Sequence, residues 1–238
     1  MWSSARSDAA LEAAFPVPID IRPMRSARRL RLRFDEGSGT LKLTCPARMS
    51  RCKALSWALD QREWIDAQLA RCLAPEPFAR DAVIPIGGRE VRIVWNAAEP
   101  RTPRLGEGEL RCGGPESGLS RRVETFLKAH ALKVMSSEVA EFASLAGLEA
   151  TAVTVGDAGS RWGSCSSNGR IRLSWRLILA PPQARRYVVA HEVAHLKHLD
   201  HGAQFKALEA KLFGPGLSEA KAMLRRVGPR LRRIGRRV

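Results

Sequence analysis

The sequence predicts an α+β protein, with a β-rich first half of hairpins and one helix and a mainly helical second half. Three observations carry this. Apolar and polar residues alternate on either side of short turn segments in the first half, and apolar residues recur at helical spacing in the second. A glycine-rich stretch between Gly106 and Gly118 separates the two patterns. The expected organisation is therefore a flexible tail over 1–16, a β-rich region over 17–117, a helical region over 118–227 and a basic tail over 228–238.

Residues 28–34 and 40–45 alternate around Asp35, Glu36, Gly37, Ser38 and Gly39, which reads as a hairpin. Pro46 ends it. Ser50 then caps one helix in which Leu55, Leu59, Ile65 and Leu69 recur as far as about Cys72, with Trp57 and Trp64 riding on it. Residues 83–86 and 90–95 flank the turn Gly87-Gly88 and form a second hairpin, with Val91, Ile93 and Trp95 on one face.

The second half opens with a helix over about 121–145, followed by strands near 151–155 and 170–175 joined by a loop over 156–169. Pro181-Pro182 suit the first turn of a helix that continues without Gly or Pro from Gln183 to about His198. After a short turn another helix ends at Phe213, where Gly214-Pro215 stop it. A last helix runs from Ser218 to about Val227.

With 45% hydrophobic residues in 238, the chain can bury a real core. No uncharged apolar run reaches the ~20 residues that cross a bilayer, and the start MWSSARSDAALEAAFPVP has no apolar core of a secretory signal. Five scattered cysteines without a C-x-x-C pair argue against a disulfide framework and against a thiolate zinc site, so the expected location is a reducing cytoplasm. The net charge of +16 is concentrated in two places: the run Arg22, Arg25, Arg28, Arg29, Arg31 and Arg33, and the end of the chain, where no acid follows Glu219. It serves solubility first, and the basic tail allows non-specific contact with nucleic acid.

The residues that carry chemistry are His191-Glu192-Val193-Ala194-His195, an H-E-x-x-H inside a segment read as helix on independent grounds. Residues four apart sit ~6 Å apart on nearly one face, so both imidazoles can reach one ion at ~2.0–2.1 Å. Glu192, rotated ~100° round the helix, is placed to act on a water rather than to ligate. Neutral imidazoles suit a catalytic zinc because they leave it enough positive charge to acidify water. Such a site needs a third protein ligand. His198 is ~10.5 Å of helical rise from His191, too far to share a tetrahedral ion. His201 reaches the ion if the helix ends near His198 and the chain turns back, although His198 stands where related spacings place a helix-breaking glycine. Glu209 on the following helix remains the rival.

The stretch SRWGSCSSNGRIRLSWRLILAPPQARRYVVAHEVAHLKHLDHGAQFKALEAKLF resembles the YgjP-like metallopeptidase family, related to the SprT-type zincins. The likeness rests on R-W-G-S-C ahead of H-E-x-x-H, and on a third histidine six residues after the second. It extends, with lower specificity, back to about Pro16. The resemblance implies a zincin-like catalytic domain over 118–227, one Zn2+ per chain on His191, His195 and His201, and Glu192 as catalytic acid and base. It also draws attention to Arg161 and Trp162. They border the cleft as a fixed cation and a wall, or else Trp162 packs in the core while Gly163 permits a turn. Cys165 reads as a small buried hydrophobe, Tyr187 as a core residue or an oxyanion donor, and His130 has no role.

The expected activity is zinc-dependent hydrolysis of peptide bonds, with a peptide or protein as substrate and no membrane partner. Two alternatives stay open. One is a metal-dependent nucleoside triphosphate pyrophosphatase, an activity linked to members of the resembled family; the other is a nucleic-acid-associated binding protein with a structural metal.

Overall fold

The computed structural model describes residues 2–35, 38–71, 75–157 and 161–236. Glu36 and Gly37 of the first turn, Cys72, Arg237 and residues 158–160 of the long loop lie outside them. The chain forms two compact units, Met1–Ala74 and Pro75–Val238.

In the first unit, α1 (Trp2–Ala13) precedes β1 (Ile19–Met24), β2 (Arg31–Asp35) and β3 (Thr40–Pro46), ordered β1-β3-β2. The expected hairpin is the antiparallel β2–β3 pair, in which Leu32 faces Leu43 and Phe34 faces Leu41. β3 also pairs in parallel with β1, a strand the alternation did not reveal. Helix α1 replaces the expected flexible tail. It shows almost no amphipathic periodicity, which is why its sequence does not announce a helix. It is tied down at its end, where the Glu12 carboxylate accepts from Arg51 at 2.6 and 2.8 Å and Phe15 is buried. Ser50 caps α2 (Arg51–Leu59), its hydroxyl accepting from the Lys53 N–H at 3.4 Å. The single expected helix is two, because the chain turns at Asp60 and resumes in α3 (Arg62–Arg71). Leu55 and Ile65 enter the same core from both sides of that turn, so the apolar spacing survives a break it cannot show.

The second unit begins with β4 (Val83–Ile86) and β5 (Arg89–Trp95), joined as expected through Gly87 and Gly88 at φ 59° and 77°. Two further strands, β6 (Arg104–Leu105) and β7 (Glu109–Cys112), complete a sheet of order β4-β5-β7-β6. The turn between them and β7 occupy the glycine-rich stretch where a boundary was expected, whereas the division lies between Ala74 and Pro75. Glycine here serves turns between paired strands, with Gly108 at φ 74°.

Helix α4 (Leu119–Ala146) buries Val123, Leu127, Ala131, Met135 and Val139 and ends at Gly147 in the left-handed region. A second sheet, β8 (Ala152–Gly156), β9 (Gly163–Cys165) and β10 (Arg170–Ser174), has β10 between its neighbours. The helices α5 (Pro182–Ala194), α6 (Ala203–Phe213) and α7 (Leu217–Leu231) follow. Arg185 of α5 donates three bonds to the buried Glu138 carboxylate of α4 at 2.8–3.1 Å, fixing the axial position of α5 against the core.

The basic end of the chain is not a free tail. Helix α7 continues past Val227 with Pro229 inside it, and Leu231 and Ile234 are buried. Arg230 pairs with Glu76 and Glu90, Arg233 with Glu76, and the buried Arg176 donates to the carbonyls of Leu231 and Ile234. Apolar residues interleaved among the arginines bury one side of the segment, a pattern that the charge count concealed.

Candidate metal centre

Pro182 occupies the first turn of α5, where no N–H is needed, and Val188, Val189, Val193 and Ala194 are buried. The helix ends earlier than expected, at Ala194, with His195 as its C-cap at φ −69° and ψ −17°. The N–H groups of Leu196, Lys197 and His198 close onto the carbonyls of Val193 and Ala194. No residue of this turn has positive φ, so the glycine expected to be missing at 198 is not required. Asp200 then accepts from the Gly202 N–H at 2.9 Å, a side-chain turn that sets His201 beside the helix end.

The structure brings His191, His195 and His201 together, with one candidate ligand atom from each lying within 4.8 Å of the others. Nε2 of His201 is 3.3 Å from Nε2 of His191. The other ring atoms face outward. Nδ1 of His191 lies 2.6 Å from Oε1 of the buried Glu209, and Nδ1 of His195 lies 2.9 Å from the His198 carbonyl. Each Nδ1 faces an acceptor and carries its N–H there, which leaves the Nε2 lone pairs of both rings for an ion. Glu209, the rival third ligand, thus holds His191 from behind, and His198 contributes its carbonyl rather than its ring. Phe205 is buried under all three imidazoles, with ring centroids 4.4–5.0 Å away. Three imidazoles, two of them held by outer partners, form a donor set that fits a borderline divalent ion such as zinc.

Glu192 is 5% exposed, and burial pushes its carboxyl up to about 7, partly opposed by the positive charge of Arg161. Gly163 of β9 lies against it. A methyl group at 163 would come within 2.5–2.8 Å of the Glu192 carboxylate and its neighbouring carbon, so the glycine permits strand and carboxylate to meet. Burial and the Glu192 charge raise the thiol of the half-buried Cys165, which keeps it protonated. Arg161 is exposed. Trp162 is half-buried with its ring against Gly228, 3.1 Å from where a side chain would start, and the Arg232 guanidinium 4.6 Å above it. Its ring thus meets α7 and packs against the core, as the second of the two expectations had it.

Tyr187, one turn before His191, packs on that ring at 6.1 Å and on Phe213 at 6.3 Å. Burial, helped by the Glu209 carboxylate, pushes its phenol up to about 12. His130 stacks on Phe126 on α4, outside the cluster. Sequence reasoning missed Phe205 as the floor of the centre and Glu209 as the His191 partner. Their spacing of four residues, which puts both on one face of α6, was the available signal.

The profile of the YgjP-like metallopeptidase domain matches residues 28–227, most of the chain, and the chain belongs to that family. No curated protein matches it. Among solved structures, the crystal structure of the metallopeptidase zymogen of Pyrococcus abyssi abylysin is 21% identical over 42% of this chain and 97% of its own, with a TM-score of 0.36. That likeness is too slight to bear on the site. No helix among the described residues is long and apolar enough to cross a membrane.

Proposed function

We propose that the protein is a zinc peptidase of the cytoplasm, with one ion held by His191, His195 and His201 and with Glu192 as the proton carrier. The supporting observation is the convergence of three imidazoles beside a buried carboxylate that titrates near neutrality. A bound divalent ion supplies Lewis-acid polarisation of the scissile carbonyl and acidifies a water. Glu192 accepts the proton of the attacking water and delivers it to the departing amine. Glu209 and the His198 carbonyl keep two of the rings in the required tautomer and orientation, while Phe205 fills the space beneath them. Arg161, near enough to act on Glu192, favours its carboxylate form.

Metal analysis of the purified chain beside His201→Ala, with peptide cleavage by wild type beside Glu192→Gln, tests this reading. One zinc per wild-type chain, its loss in His201→Ala and cleavage lower by ~10²–10⁴ in Glu192→Gln are expected. Equal zinc in wild type and His201→Ala overturns it. The non-enzymatic alternative of a basic tail on nucleic acid loses ground, because Arg230 and Arg233 are engaged with Glu76 and Glu90.

A further inference from the structure

The arginines and lysines of α7 and of the turn after it point to several faces. Lys221, Arg225, Gly228 and Arg232 are spaced by four, three and four residues, so they share one face. Arg230 and Arg233 lie on other faces and meet the carboxylates of Glu76 and Glu90. The shared face runs beside the metal centre. Lys221 Nζ stands 5.9 Å from the Tyr187 ring, which itself packs on His191. Gly228 and Arg232 meet Trp162, the neighbour in sequence of the Gly163 that touches Glu192. Arg225 follows Lys221 by one helical turn on that face, and Arg161 is two residues before the Gly163 that lies against Glu192.

Lys221, Arg225 and Arg161 are exposed, and among the described residues none has a carboxylate within salt-bridge distance. Other cations of the unit, Arg226 among them, are also without a carboxylate; what distinguishes Lys221, Arg225 and Arg161 is their place beside Tyr187, His191 and Glu192. Glu209 is bonded to His191 and Glu192 is buried, so a carboxylate that meets these exposed cations belongs to a bound ligand.

We propose that the substrate is an acidic peptide, whose Asp and Glu side chains on either side of the scissile bond are bound by Lys221, Arg225 and Arg161. The proposal rests on the peptidase reading and names its substrate class. From Lys221 to Arg225 the helix rises ~6 Å, the length of about two extended residues, and Arg161 adds a third cation, so the preference extends over more than one position. Cations on flexible stems give a charge preference and faster encounter rather than a strict sequence.

The test measures binding of fluorescent Glu-rich, neutral and Lys-rich peptides to zinc-loaded Glu192→Gln protein by anisotropy, which needs no turnover. The Glu-rich peptide is expected to bind tightest, weakening with salt. Lys221→Ala/Arg225→Ala should weaken it roughly five- to tenfold without affecting the neutral peptide. Lys221→Glu/Arg225→Glu should transfer the preference to the Lys-rich peptide, and Arg226→Ala, on the opposite face, should change nothing. Thermal unfolding confirms that each variant is folded. Equal binding of the three peptides, or no effect of the double variants, overturns the proposal. So does a nucleoside triphosphate that binds through these residues while the peptides do not. If Glu-rich peptides bind through these residues but wild-type enzyme leaves them intact, the peptidase reading fails and the acidic-ligand site stands.

Discussion

Helices α5 and α7 pack against each other, yet their sequences disclose them very differently. In α5 every important group is local: two imidazoles one turn apart with a carboxylate between them. In α7 the sequence shows a run of arginines, while the structure shows a helix with Ala220, Leu224, Gly228 and Leu231 buried, two arginines held by acids, and a cationic face turned to the site. Residue type determines what the short segment can do. For the basic segment, partners far away in sequence determine it, since the same guanidinium is structural beside Glu76 and available for substrate where no acid meets it.

Five changes break or sharpen this contrast. The largest effect belongs to α5 and its contacts. Glu209→Ala removes the acceptor on His191 Nδ1 and should weaken zinc affinity ~10–100-fold, read by competition with a chelator, while His201→Ala abolishes binding. Next comes the end of α7. Truncation after Pro229 should cost several kcal/mol and lower Tm strongly, because Leu231 and Ile234 are buried and truncating even one such side chain costs ~2–5 kcal/mol. A free tail would leave Tm unchanged, so that result would erase the distinction drawn here.

Gly163→Ala links strand to helix. Its methyl group would overlap the Glu192 carboxylate, and the expected loss is ~1–3 kcal/mol of stability, with peptide cleavage falling while zinc stays bound. The smallest effect is on pH dependence. Burial pushes Asp157 up, but the Arg176 bonds and charge outweigh it and hold its carboxyl below the usual range. With the folded pKa depressed, this contribution is present above the unfolded pKa of about 4 and is lost as pH falls through the folded value. Asp157→Asn should therefore flatten the acid limb of the stability profile, by under ~1 kcal/mol after solvent screening, because the carboxylate is 38% exposed.

Much of the fold was legible where structure is local. The β2–β3 and β4–β5 hairpins were written in alternation and turn residues, and α4, α5 and α6 in helical spacing. What escaped was β1, β6, β7 and β9, short strands recognisable only by the partner they join, together with α1 and the break between α2 and α3. In the site, His191, Glu192 and His195 were legible as a unit. Glu209, Phe205 and Gly163 were not, because their importance lies in touching that unit from other elements.

By itself, the sequence determined the chemical repertoire: two imidazoles and a carboxylate on one helix, since a regular helix converts spacing directly into distance. Only the tertiary structure decided whether His201 or Glu209 stands with those imidazoles, and which arginines meet Glu76 and Glu90. Both depend on how close residues from different elements approach, and packing of the core sets that distance, not their separation along the chain.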